Sequence, residues 1–458
     1  MTIDLFAPNP ATMLPLFVLV SAAACILWLD LRAAPRQIAG WMALASLILA
    51  AVLALLTAAS GQSGVVYGML SSDGLSTLFT LYFCGAGAAF VLRELPEPGT
   101  DSGTFAFVLF AASGALTVTQ ATHTLPLMIG LAVLHVATTV LVGPQRGWRY
   151  PVVQSAALAC VLFGTTLWYG ASGTLSLDPA SEVQTAASNS LAALGIGITI
   201  AGLSQWWGLE PWGAFRWAPH TGQAPTPRGL LIALILPGAA AAAMSRLSGA
   251  LAGPWLTVLA VLGSLSLVVG YLRALCSYHI AGMLRGIIAA QSGILALALV
   301  CQPTVGWAPF FYLLASNALS LLGLWVVISD GDTNTRYDVA GLGKRTPWLA
   351  AGATLCLLNL AGMPPLAGLT GQTALLQAST QEGHRWLQAP LAASSLPAWL
   401  WATRWILTFW VRLPQDRPQR RTSPEIALIA LLSAGGTLLA GLGAARIWGW
   451  IDALIGGL

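Results

Sequence analysis

Fourteen apolar stretches follow one another along this chain of 458 residues. Each has about the 20 residues, or more, that a helix needs to cross a bilayer. They lie near 12–30, 39–59, 74–92, 104–121, 124–143, 152–170, 186–207, 228–247, 254–275, 280–301, 306–329, 347–378, 386–411 and 425–449. Hydrophobic residues make up 57% of the chain and charged residues only 8%, against about a quarter in an average soluble protein. The sequence therefore predicts an all-α polytopic membrane protein of about fourteen transmembrane helices.

The sequence contains no pattern typical of a cofactor or metal site. It has no GxGxxG after a strand, no P-loop, no CxxCH and no HExxH. Its six cysteines are scattered through apolar segments without metal-ligand spacing, and we interpret them as small buried apolar residues. No basic residue precedes the first apolar stretch, which is too long for a signal peptide, so we expect no cleavable leader. We expect no catalytic chemistry, cofactor or metal in this chain.

The basic residues predict an orientation. Of the 20 lysines and arginines, sixteen lie in or beside the odd-to-even connections, and one, Arg404, lies inside a predicted span. The remaining three, Arg246, Arg385 and Arg446, lie on the opposite side. Because cytoplasmic loops of membrane proteins are rich in lysine and arginine, this bias predicts that both termini lie outside the cytoplasm.

The twelfth stretch is overlong and contains a break, with the sequence AGMPPLAG at 361–368. Pro364 and Pro365 remove two backbone donors, and Gly362 and Gly368 are poor helix formers. A broken helix at membrane depth survives only where protein or a water-filled cavity satisfies the freed carbonyls. Ion-translocating membrane proteins use such breaks, so these four residues are candidate site residues.

Stretches four to eight and nine to thirteen each contain five predicted helices. Two tandem repeats with an odd number of helices insert in opposite orientations, and such inverted repeats place an ion path near the bilayer midplane. Hydropathy is compatible with this repeat without requiring it. We therefore predict N-terminal helices (1–103), a first five-helix repeat (104–247), a second five-helix repeat (254–411) and a C-terminal helix (425–458).

Four motifs resemble the antiporter-like membrane subunits of respiratory complex I, in their subunit N version. YGASGT at 169–174 resembles that family's YGATGT after span 6, and 217–227 is similar to its WAPD…GAPTP loop, with one residue fewer. YDVAGLGKR at 337–345 resembles its D-x-x-GLGRR entry to span 12. The AGMPPLAG break resembles subunit N more closely than its sister subunits M and L. The four motifs follow the family's order, and the similarity runs from about 124 to 412.

The resemblance implies a complex I antiporter-like fold and a place in the membrane arm of NADH:quinone oxidoreductase. The implied partners are membrane lipids and other membrane-arm subunits, M and K-like, and no nucleic acid. NADH, FMN, iron–sulfur clusters and quinone would be bound by partner subunits. The implied location is the bacterial inner membrane, with both termini periplasmic. Cation antiporters, membrane hydrogenases and inorganic-carbon uptake complexes share the fold, and the subunit N form of the break argues against them.

The family carries protons along a line of buried ionisable residues, and most of that line is missing here. Buried lysines suit this role because burial lowers their pKa, but the single lysine of this chain, Lys344, lies in a polar loop. The resemblance matches the family's span 5 glutamate and its proton-path lysines and histidine to Ala132, Arg149, Gly238, Gln291 and Gln372. Arginine keeps its charge but hardly titrates, and the other four side chains cannot exchange a proton near neutral pH. The pattern predicts a scaffold subunit whose own proton path is degenerate.

Two residues could replace the lost carriers. Glu210, in WWGLEPW at 206–212, could stand in for a lysine; the plainer interpretation is a carboxylate at the cytoplasmic interface within an aromatic belt. His135 lies three residues after Ala132 on the same helix face and could relay protons, or it could be a neutral histidine bonded to a neighbour. Arg404 could pair with Glu210, face lipid headgroups or contact another subunit. The alternative to a scaffold is therefore an active transporter that uses Glu210 and His135.

Overall fold

The structure is a computed structural model that describes residues 10–33, 35–60, 64–66, 68–97, 99–143, 149–177, 190–211, 226–248, 254–301, 307–328, 334–412 and 424–455. Its α-helices are α1 (Leu14–Leu31), α2 (Arg36–Ala59), α3 (Gly74–Glu94), α4 (Ser102–Gln120), α5 (Thr124–Val142), α6 (Arg149–Ser172), α7 (Ser190–Trp207), α8 (Pro227–Arg246), α9 (Pro254–Cys276), α10 (Ile280–Val300), α11 (Trp307–Ile328), α12 (Leu342–Arg345), α13 (Pro347–Leu360), α14 (Ala367–Gln381), α15 (Gln388–Trp410), α16 (Pro424–Leu442) and α17 (Ala444–Ile455).

Each of the fourteen predicted stretches overlaps at least one of these helices. Ten of the described helices are long and apolar enough to cross a membrane, or eleven if the bent pair α16 and α17 forms one span. Helices α7 and α15 and the two halves of the broken twelfth stretch are not among the ten. The polytopic helical fold is thus observed, while the count of fourteen spans stays a prediction.

The chain forms two compact units, and the predicted repeat boundaries do not coincide with them. Unit 1 comprises Met1–Trp207, Leu234–Leu256 and Leu454–Leu458, and unit 2 comprises Gly208–Ala233 and Thr257–Ala453. The division into units does not test whether the two predicted repeats are related by an inverted symmetry, so that symmetry stays a prediction.

Close backbone contacts between helices hold unit 1 together. A Cβ added at Gly114 of α4 would lie 2.8 Å from the carbonyl oxygen of Gly130 in α5. One added at Gly164 of α6 would lie 2.5 Å from the carbonyl oxygen of Gly195 in α7. Glycine lets these helices approach backbone to backbone, as small residues do where membrane helices pack.

An ion pair joins the end of α8 to the start of α3 within unit 1. The guanidinium of Arg246 contacts both carboxylate oxygens of Asp73, at 2.6 and 2.9 Å, and its Nε donates to Thr119 O at 2.6 Å. Asp73 also caps α3, because its carboxylate accepts a hydrogen bond from Ser76 N at 2.7 Å. Arg246 is therefore a contact inside the fold of unit 1. Beside it lies an antiparallel hairpin of β1 (Gly64–Val66) and β2 (Leu70–Ser72), with Val65 paired to Ser71.

Unit 2 contains the broken twelfth stretch as α13 and α14, packed against α11 and α16. Helices α16 and α17 meet at a bend of 86°, with Gly443 between them. The predicted span at 425–449 is therefore not one straight helix. Apolar composition continues through the bend, so hydropathy alone does not reveal it.

Candidate functional site

The break between α13 and α14 is shaped by two glycines. Gly362 has a φ of 70°, in the left-handed region that favours glycine. A Cβ there would also lie 2.4 Å from Oε1 of Gln372, the residue matched to the family's span 12 lysine. A Cβ at Gly368 would lie 1.9 Å from the carbonyl oxygen of Asn359. The two halves of the broken helix therefore meet at close contacts that only glycine permits.

The prolines of the break deprive two carbonyls of their helical partners. In a continuous helix, Leu360 O and Ala361 O would accept from residues 364 and 365, and both are prolines without an N–H. Side chains from other helices supply the missing donors. Tyr271 OH and Gln291 Nε2 donate to Leu360 O, the latter at 3.1 Å, and Trp399 Nε1 donates to Ala361 O at 3.1 Å. Protein groups thus satisfy the two carbonyls that the prolines free.

Asn359, in the last turn of α13, ties both halves of the break to α11. Its Nδ2 donates to Ser320 Oγ at 2.7 Å and Ser316 O at 3.3 Å, and its Oδ1 accepts from Gly368 N at 2.8 Å. Sequence reasoning missed Asn359, although a lone amide just before a double-proline break in an apolar helix is a usable signal.

Gln291, matched to the family's span 10 histidine, is a hydrogen-bond donor in a neutral cluster. It is 3% exposed, and its Nε2 also lies 3.0 Å from Tyr271 OH. An amide cannot take up and release a proton near neutral pH. The side chain at this position therefore caps a broken helix and carries no charge.

Gly238, matched to the family's lysine after proline in span 8, faces two aromatic rings within unit 1. A Cβ at Gly238 would lie 2.6 Å from Tyr82 Cε1 and 3.0 Å from Phe83 Cε1. Tyr82 OH donates to Leu234 O at 3.0 Å, one turn before Gly238 and beside Pro237. The space that a longer side chain would need is occupied by Tyr82 and Phe83.

Two residues matched to the family's proton path lie on α5 and α6, and neither places a buried charge among the described side chains. Ala132 is exposed on α5, while Arg149 begins α6 and its side chain lies outside the described part. His135 is half-buried, stacks on Trp206 with ring centroids 6.3 Å apart, and lies with Nε2 3.0 Å from Ser155 Oγ. No described protein atom hydrogen bonds to its buried Nδ1. The Ser155 contact fits the plainer interpretation of a histidine bonded to a neighbour.

Glu210, which follows α7, forms an ion pair inside unit 2. Its side chain is 3% exposed and pairs with Arg273 of α9, whose side chain is 39% exposed. The backbone N of Glu210 donates to Ser266 Oγ at 2.6 Å. Arg404, one candidate partner of Glu210, instead donates to Leu275 O at the end of α9. The carboxylate is therefore buried, with an arginine partner that sequence reasoning did not select.

The chain matches a known protein family. Residues 121–396 match the sequence model of the family described as NADH:quinone oxidoreductase/Mrp antiporter, TM. The chain belongs to this family. It is similar to NADH-quinone oxidoreductase subunit N of Chloroflexus aggregans, 27% identical over 472 residues, covering 96% of this chain and 95% of the relative. It is 30% identical over 354 residues to subunit N 2 of Roseiflexus castenholzii, covering 70% and 71% of the two chains.

Solved structures agree with the family. A chain of respiratory complex I from Thermus thermophilus with bound Aureothin is 26% identical, with a TM-score of 0.84, covering 96% of this chain and 99% of that chain. A chain of the Mrp complex from Dietzia is 17% identical with a TM-score of 0.85, covering 98% of each chain, and shows the fold alone. The resemblance inferred from the four motifs is confirmed, and so is the antiporter-like fold.

Proposed function

We propose that this chain is a subunit N-like membrane-arm subunit of a proton-translocating NADH:quinone oxidoreductase. Relatives named as subunit N match it along nearly their whole length, which supports this machine over a cation antiporter, hydrogenase or inorganic-carbon complex. In this role the chain packs beside M and K-like subunits in a bacterial inner membrane, with both termini periplasmic. NADH, FMN, iron–sulfur clusters and quinone belong to partner subunits.

We further propose that the chain is a scaffold whose own proton path is degenerate. One observation carries this proposal: at the positions matched to the family's proton path, neutral residues make packing contacts and hydrogen bonds within the fold. Gln291 caps the freed carbonyl of Leu360, aromatic rings fill the space beside Gly238, and Gln372 packs on Gly362. A proton path needs groups that titrate, and glutamine and glycine provide none near neutral pH.

Energetics favour such replacements once transport is lost. Burying an ion in protein costs several kcal/mol unless it is well paired, and a buried pair is often no more stable than apolar groups of similar volume. A neutral donor such as Gln291 still satisfies a carbonyl at the break without that penalty. The break itself remains useful, because it holds α11, α13, α14 and α16 in one packed group.

A high-resolution structure of the assembled complex, with ordered waters, tests the scaffold proposal. We expect no continuous water chain around Tyr271, Gln291 and Gln372 in unit 2. A chain of ordered waters that reaches Glu210 or His135 from both membrane faces would instead indicate a rebuilt path.

The second candidate function is active proton translocation through substitute residues. Two observations favour it: the Glu210 side chain is almost fully buried, and the buried Nδ1 of His135 has no described protein partner. Substitution by Glu210→Gln or His135→Asn in the assembled complex separates the two functions. If this chain transports protons, the variants should move fewer protons per electron than the wild type. If it is a scaffold, the variants and the wild type should move the same number.

A further inference from the structure

The start of α13 and the end of α15 share a surface of unit 2 that is rich in cations and aromatic rings. Gly341 N donates to Thr408 O at 3.1 Å, which docks the segment before α12 onto α15. Trp410 covers Gly343, where a Cβ would lie 2.5 Å from its ring, and its Nε1 donates to Thr354 Oγ1 at 3.1 Å. We call this the arginine–tyrosine surface; its members are Tyr278, Arg336, Tyr337, Lys344, Trp348, Trp410 and Arg412.

Two guanidiniums converge on Tyr337. The Cζ of Arg412 lies 4.8 Å from the centre of its ring, and the Cζ of Arg336 lies 5.2 Å from it. Arg336 Nη2 also donates to Tyr337 OH at 3.3 Å. Hydrogen bonds from Arg412 and then Arg336 lower the pKa of the Tyr337 hydroxyl below its usual value. The phenolic oxygen therefore marks a point of concentrated positive charge.

The carboxylate of Asp338, next to Tyr337 in the chain, bonds to the backbone of its own loop. Asp338 Oδ2 accepts from the backbone N of Asn334 at 2.8 Å and of Thr335 at 2.7 Å, so it is used inside its own loop. Arg336 is buried, whereas Lys344 and Arg412 are exposed. The two exposed cations, Lys344 and Arg412, suit an anion.

The aromatic members place this charge at the edge of the apolar helices. Tyr278 is 48% exposed, Trp348 42% and Trp410 39%, and all three stand at or beside the ends of α9, α13 and α15. Exposed tryptophan and tyrosine at helix ends are typical of the membrane interface, with arginine and lysine reaching the headgroup level beyond them. A ligand here meets apolar rings on one side and cations on the other.

We propose that the arginine–tyrosine surface binds the phosphate of an anionic phospholipid, of the phosphatidylglycerol class. Arginine binds phosphate oxygens through paired N–H groups. The exposed guanidinium of Arg412 is the group available for this, and its cation–π contact with Tyr337 holds it in place, while the buried Arg336 adds positive charge behind it. The exposed tryptophan rings border the glycerol and upper acyl region of the same lipid. A soluble phosphate would use the cations but not the rings. This proposal is independent of whether the chain moves protons.

Native mass spectrometry of the purified full chain in mild detergent tests the site. The probe is phosphatidylglycerol, with phosphatidylcholine and inorganic phosphate as comparison ligands. The test variant is Arg412→Gln with Lys344→Gln. The matched control is Arg32→Gln, because Arg32 is also an exposed arginine at a helix end, with its Cζ 4.8 Å from the ring of Trp28.

We expect the wild type and the Arg32→Gln variant to retain phosphatidylglycerol in preference to phosphatidylcholine. Each lost cation weakens binding about five-fold, so the double variant should bind about 25-fold more weakly. Equal retention by the double variant and the control would overturn the proposal. Binding of inorganic phosphate without preference between the two lipids would also overturn it.

A photoreactive phosphatidylglycerol added to the assembled complex locates the site without relying on a variant. We expect its headgroup to crosslink to the peptides that contain Tyr337 or Trp410. Crosslinks confined to other parts of the chain would contradict the proposal. So would complete protection of these peptides by a neighbouring subunit, because the surface would then be a protein interface.

Discussion

Leu360 O shows, at the scale of a residue, how this chain keeps a broken helix without charge. Its helical donor would be the absent N–H of Pro364, and Tyr271 and Gln291 replace it. Two donors on one carbonyl make the arrangement tolerant of losing either one. The same two side chains also bond to each other, at 3.0 Å.

Tyr271→Phe and Gln291→Leu should each cost about 1 kcal/mol, because the remaining donor still satisfies Leu360 O. The double variant leaves that buried carbonyl without its side-chain donors, and should cost about 1–3 kcal/mol more than the sum of the two single variants. Thermal unfolding of the purified chain in detergent measures the coupling. Simple additivity of the two effects would show that the carbonyl finds another partner.

Adding even a methyl group at Gly238 should destabilise the fold. Gly238→Ala forces its Cβ against Tyr82 and Phe83, so we expect a loss of about 1–3 kcal/mol in the free energy of unfolding. Gly85→Ala in α3 is the matched control, because a Cβ there meets nothing within 4 Å. Helix propensity should make the control neutral or more stable by about 0.5–1 kcal/mol. Equal stability of the two variants would mean that the site beside Gly238 has room for a side chain.

Residues matched by family motifs could be placed from the sequence, but their contacts could not. Gln291 and Gln372 were located by the resemblance alone. Tyr82 fills the space beside Gly238, while Tyr271 and Trp399 donate to carbonyls of the break. All three are common residues of apolar helices and lie far away in the chain. Nothing in their local sequence distinguishes them, so only the packed structure reveals their roles.

Helices are the scale at which sequence is most informative for this chain. Long apolar stretches predict where helices lie, because the bilayer sets their length and demands internal hydrogen bonds. Adjacent prolines predicted the break between α13 and α14. The bend at Gly443 was missed, since isolated glycines are common in membrane helices and the stretch stays apolar beyond it.

The end of α16 supports the break directly. A Cβ at Gly441 would lie 2.3 Å from the carbonyl oxygen of Pro365, whereas a Cβ at Gly435 of the same helix meets nothing within 4 Å. Tyr312 OH bonds to Ala440 O and to Thr370, each at 2.8 Å, and so joins α16 to α14. Helix α16 and the break therefore hold each other in place.

Gly441→Ala should push α16 away from the break and lower the free energy of unfolding by about 1–3 kcal/mol. Gly435→Ala should be neutral or stabilising by about 0.5–1 kcal/mol. Hydrogen exchange of the peptides around 357–368 provides a second measurement, with faster exchange expected only in Gly441→Ala. Unchanged exchange in both variants would show that the break is stable without α16.

On the scale of the whole molecule, the chain retains the architecture of its family while its buried polar positions are largely neutral. The match to the Thermus thermophilus chain covers 96% of this chain and 99% of that chain. Composition and motif order sufficed to predict this architecture. The sequence could not say whether Glu210 and His135 act together, because that depends on water and on other subunits.

The proton-to-electron ratio of the assembled complex, reconstituted in vesicles, tests the central claim most directly. The comparison is between the wild type and a complex that carries both Glu210→Gln and His135→Asn in this chain, at matched rates of NADH oxidation. A scaffold predicts the same ratio in both, below that of a complex whose subunit N keeps its lysines. A lower ratio in the variant would show that this chain still moves protons and would contradict the account.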